Sequence, residues 1–352
     1  MAKQVKIKDI ARMAGVSAGT VDRILHNRGN VSPKSREAVE RILAQVDYKF
    51  NIHTSAVSFR KQCNISICIP TCEDGEYWGT VKKGVEHALE EFSDINIHCE
   101  YYFYNQFDIY SYRNAFEDMI RHHSDGVIIG PTFEEDTIRL CKELDKEGTP
   151  YVFVDAIMDQ TSPYETFTTD QYTCGYLLGK LLDLITPNDA SLAIFKIERI
   201  GNQSSSNSLK RQKGFEDYMN DSGKNEKLIE ASLSITNSDD TERTLISFLN
   251  SHPDTKGLAV LNSRGYILAD ILHKNGIDDV KVMSFDLTDK NINHLQNGQI
   301  SVLLCQKPEL QGFNAIKSII NKLLYNSPAD IVHHFIPIDI VFKENLPYYK
   351  EI

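Results

Sequence analysis

Five polar side chains stand at the ends of apolar runs: Asp155 after YVFV, Asp170 after TFTT, Asn262 after LAVL, Asp286 after VMSF and Gln306 after VLLC. Carboxylates and amides accept or exchange hydrogen bonds with hydroxyl groups, so a cleft lined by them suits a polyol or a sugar. Tyr77 and Trp78, just beyond the first apolar run, offer an aromatic platform, which would serve a purine or other nucleobase equally well. Singly, each polar residue also reads as the cap of the helix that follows it; the shared placement is what points to a site. Nothing in the sequence asks for catalysis. It has no G-x-S-x-G elbow, P-loop, glycine-rich phosphate fingerprint or H-E-x-x-H pair. His122 and His123 fall in a helical pattern, and His333 and His334 in a strand-like run whose adjacent side chains face opposite sides. The seven cysteines are odd in number and scattered, which fits reduced thiols better than a disulfide framework or a metal site. The expectation is a binding protein, not an enzyme, with no cofactor and no metal.

Strand ends gather in one place only if the strands share a sheet. The runs at 64–70, 95–104, 126–131 and 151–156 alternate with helical patterns, and a second series at 191–197, 228–235, 257–262, 280–286 and 301–306 does the same. That alternation argues for βαβ units and two doubly wound α/β halves, with ligands bound beyond the carboxyl ends of the strands, between the lobes. The 352 residues allow two or three domains, and 41% hydrophobic with 25% charged residues is an ordinary globular composition. No run approaches the roughly 18 apolar residues of a membrane helix, and the start MAKQVKIKDI has no apolar signal segment, so no membrane partner and a cytoplasmic location are expected.

Charge is divided unevenly along the chain. Residues 1–61 hold twelve Lys or Arg against five Asp or Glu, a balance of +7, whereas the remainder holds 26 against 44, a balance of −18. A compact basic segment on an acidic body is the electrostatic pattern of a nucleic-acid module. Within it, Ile7, Ile10, Ala11 and Ala14 form the stripe of a short amphipathic helix that ends at Gly15. Ser17 then caps a second helix, 18–27, with Val21, Ile24 and Leu25 inward and Ala18, Gly19, Asp22, Arg23 and His26 outward; Ser32 and Pro33 open a third, to about Val46. Helix, tight turn and helix on a basic background is the geometry that lays a second helix in the DNA major groove. Arg23 can reach a guanine edge or a phosphate, while Ala18 and Gly19 offer only methyl contact or close approach. Ser17, Thr20, Asn27, Arg28, Ser32 and Lys34 suit phosphate contacts.

The run from Val5 to Asn51 resembles the DNA-binding headpiece of the lac repressor (LacI/GalR) family, through D-I-A, A-G-V-S, T-V-x-R, V-S-x-x-S-R and a terminal Tyr and Asn. Two departures stand out: Asp22 where the family commonly has Ser, and Phe50 where a proline usually precedes Asn51. The resemblance implies a hinge helix formed on the operator, with an apolar wedge in the minor groove that falls by position on Val57. It extends over nearly all of residues 63–352, which is similar to the family's effector-binding region and, in fold, to periplasmic sugar-binding proteins. There SSNSLKRQKGFEDY looks like the stretch whose arginine clamps the effector, here Arg211. VLNSRGYILA and VMSFDLTD resemble the runs supplying Asn262 and Asp286, and Gln306 ends a strand at a crossover. Ser263 and Arg264 follow Asn262 where many relatives carry an Asp.

The expected architecture is thus an N-terminal all-α helix-turn-helix headpiece (1–50), a hinge or linker (51–62), and an α/β two-lobed, periplasmic-binding-protein-like (type I) body (63–352). By the family pattern lobe 1 holds about 63–169 and 307–328, and lobe 2 holds 170–306 and 329–352. The expected partners are a near-palindromic duplex operator, a small carbohydrate-like effector and a second copy of the chain, since two-fold symmetry doubles the contacts of one small headpiece. A nucleobase effector is the alternative within this class, and a solute-binding transport component the alternative outside it.

Overall fold

The computed structural model describes residues 7–25, 31–45, 62–200, 205–329 and 331–349. Its first unit is three helices, α1 (Ile7–Ala14), α2 (Ala18–Leu25) and α3 (Pro33–Gln45). Gly15, at φ 67°, takes the left-handed conformation that ends α1, and the Ser17 hydroxyl accepts the Thr20 backbone N–H at 3.1 Å to start α2. Ser32 does the same for Ser35 at 3.2 Å, with Pro33 opening α3. Ile10, Ala11, Val21, Ile24 and Val39 close a small core. Asn27, Arg28, Asn51 and Val57, and with them the proposed hinge helix, lie outside the described residues.

The first lobe runs β1 (Cys63–Pro70), α4 (Tyr77–Glu91), β2 (Ile97–Tyr104), α5 (Ile109–Arg121), β3 (Gly126–Ile129), α6 (Glu134–Glu147), β4 (Tyr151–Val154) and β5 (Glu165–Thr168). The second runs α7 (Gln171–Ile185), β6 (Ser191–Ile197), α8 (Ser206–Asp221), β7 (Leu228–Leu233), α9 (Ser238–Ser251), β8 (Thr255–Val260), α10 (Gly265–Lys274), β9 (Lys281–Phe285), α11 (Asp289–Gln296) and β10 (Val302–Cys305). The chain then returns to the first lobe with α12 (Pro308–Tyr325) and β11 (His333–Phe335), and ends in the second with β12 (Asp339–Val341). The sheet orders are β11-β5-β4-β3-β1-β2 and β12-β10-β9-β8-β6-β7, parallel throughout except for β12 against β10.

Helices cover both faces of each sheet, which is why the strands read as almost unbroken apolar runs. In β1, Ile65, Ile67 and Ile69 join the core under α4 and α12, while Cys68 joins the one under α5 and α6. One boundary differs from expectation. His333–Phe335 pairs with β5 in the first sheet, His334 stacks on Phe167 with centroids 4.6 Å apart, and the Ile336 N–H donates to the Thr168 carbonyl at 2.7 Å. The last return to lobe 2 therefore comes after Ile336, not at residue 329.

In each lobe one helix pair packs backbone to backbone. A methyl on Gly84 or Gly312 would collide with the facing backbone of α12 or α4, and one on Gly175 or Gly214 with that of α8 or α7. The second pair matters for the site, because α8 carries Arg211 and α7 begins with Gln171.

Candidate functional site

The carboxyl ends of the two sheets face a cavity of about 210 Å³ between the lobes. Asp155 follows β4 and Asp286 follows β9, the third strand in from the same edge of each sheet, so the two carboxylates are structurally equivalent. Both hold left-handed backbones, φ 77° and 65°, a conformation that Asp tolerates better than most non-glycine residues. Tyr77, Trp78, Arg211, Asn262 and Gln306 line the same cavity.

Asp155 accepts from Tyr77 Oη at 2.7 Å and from Asn207 Nδ2 at 2.9 Å, the latter reaching across from lobe 2. Gln306 donates through Nε2 to both oxygens of Asp286, at 2.9 and 3.2 Å, and through its backbone N–H at 3.2 Å. Arg211 is buried and fixed at three points: Nε to Gln171 Oε1 at 2.7 Å, Nη1 to the Leu261 carbonyl at 2.7 Å and Nη2 to Gln306 Oε1 at 2.6 Å. Its guanidinium carbon also lies 4.0 Å from the Phe285 ring centroid. A five-donor fork held this way keeps two N–H bonds for something else.

Burial pushes the Asp286 carboxyl up to about 7, against the opposing pull of Arg211 and the Gln306 donors. Burial also raises Asp155, with Arg211, Tyr77 and Asn207 opposing it. Burial and the neighbouring Asp155 raise Tyr77, which keeps its hydroxyl a neutral donor at ordinary pH.

Asp170 does not line the cavity. It is exposed and caps α7, accepting from the Thr173 N–H at 3.1 Å and the Thr173 hydroxyl at 2.7 Å. The local capping interaction takes its carboxylate, and the next residue, Gln171, turns inward instead. Nor is the aromatic pair a free platform. Trp78 is 5% exposed and Tyr77 7%, set edge to face 5.2 Å apart, with the Trp78 ring against the backbone of Gly130.

Asn207, Gln171 and Gln311 were not anticipated. Asn207 lies one helical turn before Arg211 on α8, a spacing that puts both on one face and could have revealed it. Gln311 accepts the Asp155 N–H at 3.0 Å and donates to the Gln306 carbonyl at 3.0 Å, tying the crossover to the floor of the cavity. The lobes also meet at the rims. Gly75 accepts from the Asp289 N–H at 3.1 Å on one side, and Phe107 accepts from the Ile200 N–H at 2.8 Å on the other.

In the headpiece, Ala18, Gly19 and Arg23 form an exposed strip of α2, opposite the buried Val21 and Ile24. Ser17, Ser32 and Lys34 are exposed, and the Ser17 and Thr20 hydroxyls bond each other at 2.9 Å. The strip is short-chained apart from Arg23, so backbone can approach a surface closely while one guanidinium reaches beyond it.

Comparison with known proteins follows the same division. Residues 6–51 match the model of bacterial regulatory proteins of the lacI family, and residues 65–326 match the periplasmic binding protein domain. The HTH-type transcriptional regulator DegA of Bacillus subtilis is 26% identical over 62% of this chain and 61% of its own length. The sucrose operon repressor of Staphylococcus xylosus is 28% identical over 52% and 54%. The chain thus spans less than two thirds of the length of these curated relatives. The sucrose operon repressor of Escherichia coli is 24% identical over 80% of this chain and 83% of its own. A crystal structure of a LacI transcriptional regulator from Bacteroides fragilis matches with a TM-score of 0.77 at 30% identity, over 82% of this chain and 100% of that one. GanP, a glucose-galactose binding protein from Geobacillus stearothermophilus, shares the fold at a TM-score of 0.69 and 21% identity, over 82% and 100%.

Proposed function

Because this chain belongs to the lacI family of bacterial regulatory proteins, with a periplasmic binding protein domain as its body, we propose that it is a ligand-responsive transcriptional regulator. The observation that carries the reading is the union in one chain of an exposed helix-turn-helix strip and an interlobe cavity whose half-buried Asp155 and buried Asp286 and Arg211 have hydrogen-bonding capacity to spare. It acts as a homodimer on a near-palindromic duplex, Arg23 reading a base or phosphate and Ser17, Thr20, Ser32 and Lys34 fixing register. Asn27 and Arg28 belong to the same proposed interface by their residue types, and Asn51 and Val57 by the sequence resemblance. The effector is a small carbohydrate held between the lobes. Relatives named as sucrose operon and ribose operon repressors favour that class, as do acceptors and donors paired around a small cavity.

Binding rather than catalysis is the proposed role, and a location in the cytoplasm goes with a DNA target. Among the described residues, no helix is long and apolar enough to cross a membrane. Closure of the lobes on effector changes how the dimer presents its headpieces, a coupling that in such systems is worth about 1–3 kcal/mol.

The protein has one tryptophan, Trp78, and it borders the cavity. Its fluorescence should change saturably with the correct carbohydrate. At the same ligand concentrations the anisotropy of bound operator DNA should shift, since linkage between two sites is reciprocal. A saturable fluorescence change that leaves DNA affinity untouched would break the proposed coupling.

A further inference from the structure

The cavity wall on the lobe 2 side carries Arg199 and Arg264, and both guanidiniums lie against one lobe 1 ring. Their carbon atoms stand 5.3 and 4.7 Å from the Phe107 centroid. Arg199 donates once, to the Gln106 carbonyl at 2.6 Å, and Arg264 donates once from its side chain, to Tyr266 Oη at 3.2 Å. A guanidinium has five N–H donors, so most of each fork is unspent. Among the described residues neither arginine pairs with a carboxylate, and Lys290, over the Tyr266 ring at 4.8 Å, continues the positive wall. Burial lowers Arg199 to about 10, and the neighbouring Arg264 pushes the same way. Both side chains are half-buried, and two like charges set side by side on one ring favour an anion beside them.

On the reading that this cavity holds a carbohydrate effector, we propose that the effector is a sugar acid, a uronic or aldonic acid, whose carboxylate docks on Arg199 and Arg264 while its hydroxyls meet Asp155, Asp286 and Asn262. Stacking on Phe107 holds the two forks but leaves their N–H edges free, the arrangement suited to bidentate carboxylate recognition. A single negative charge fits better than a phosphate dianion. The same cavity is bordered by Glu73, Asp74, Glu76 and Asp289, and each would repel a second charge.

The test is titration of the full-length protein, followed by Trp78 fluorescence and calorimetry. The ligands are D-glucuronate, D-galacturonate, D-mannuronate and D-gluconate, their neutral parents glucose, galactose and mannose, and the corresponding 6-phosphates. At least one acid should bind roughly tenfold or more tightly than its neutral parent, the worth of one charge-assisted hydrogen-bond pair. Arg199→Gln and Arg264→Gln should bring that ratio toward unity. Arg264→Lys, which keeps the charge and loses the fork, should restore part of the preference. A neutral sugar that binds as well as its acid, a phosphate preferred over the carboxylate, or a preference that survives both Gln substitutions would each overturn the proposal and leave the regulator reading standing. Silence from all three classes would count against the carbohydrate cavity itself, and so against the reading on which this rests.

Discussion

Arg211 holds together the parts of the cavity that come from different elements: Gln171 at the start of α7, the Leu261 carbonyl after β8 and Gln306 after β10. Arg211→Met would leave Gln171 Oε1 and the Leu261 carbonyl buried without the guanidinium's donors, and Gln306 Oε1 with only the longer bonds from the Thr169 hydroxyl at 3.2 Å and Gln171 Nε2 at 3.4 Å, so the penalty should reach about 3 kcal/mol. We therefore expect it to lower the melting temperature by several degrees as well as abolish effector binding. Asn262→Ala should separate the two effects. Its Oδ1 caps only the Arg264 N–H at 3.0 Å, so about 1 kcal/mol of stability is at stake while the effector contact is lost. Thermal melts and ligand titrations of the two variants check the contrast. Asp286 supplies a pH dependence. Its folded carboxyl keeps a proton up to about 7, whereas an unfolded one releases it near 4, so between those values the native state is the more protonated. Stability should then fall as pH rises through that window, and Asp286→Asn should flatten the fall in a melting series from pH 5 to 8. The strand-end rule made Asp155, Asp286, Asn262 and Gln306 legible in the sequence, and family resemblance alone supplied Arg211. Asp170 obeys the same pattern and goes to a helix cap, because a carboxylate beside the Thr173 N–H and the Thr173 hydroxyl is satisfied where it stands. Gln171 and Gln311 were hidden because a polar residue in a helix's first turn usually faces water.

Elements were easier to read than residues. The two alternating series gave the parallel strands to within a few positions, since burial on both faces leaves a continuous apolar signature. The short strands have no clear bounds in the sequence: β5 shows only as the TFTT before Asp170, β11 only as a strand-like run at His333 and His334, and β12 not at all, because three or four residues, half of them polar, carry too little periodicity, and the last crossover is misplaced with β11. In the headpiece the caps Ser17 and Ser32 and the inward Val21, Ile24 and Val39 follow directly from spacing. The close approach of α7 to α8 is a feature the sequence shows only as scattered glycines. Gly175→Ala would drive a methyl into the Arg211 carbonyl and push α8 outward. Overpacking of this kind costs about 1–3 kcal/mol. Because the displaced residue is Arg211 itself, effector affinity should fall together with stability. The equivalent change in lobe 1, Gly84→Ala, should cost comparable stability with a smaller effect on affinity, since Glu309, which it meets, lies outside the cavity.

At the scale of the whole molecule, charge and fold divide at the same place. A basic three-helix unit precedes a body with a formal balance of −18, a net charge that disfavours contact with DNA through the body. On the proposed reading, one end of the chain reads a duplex and the cavity in the other end decides how tightly. The most direct measurement is selection from a randomised duplex pool by the full chain and by residues 62–352, followed by anisotropy titration of the recovered duplex with and without effector. The full chain should enrich a two-fold symmetric sequence and the truncated body none, Arg23→Ala should weaken binding by about 1–3 kcal/mol, and the effector should shift the full-chain curve at the concentrations that change Trp78 fluorescence. A truncated body that binds the duplex as tightly as the full chain, or a duplex affinity indifferent to a saturated cavity, would contradict that reading.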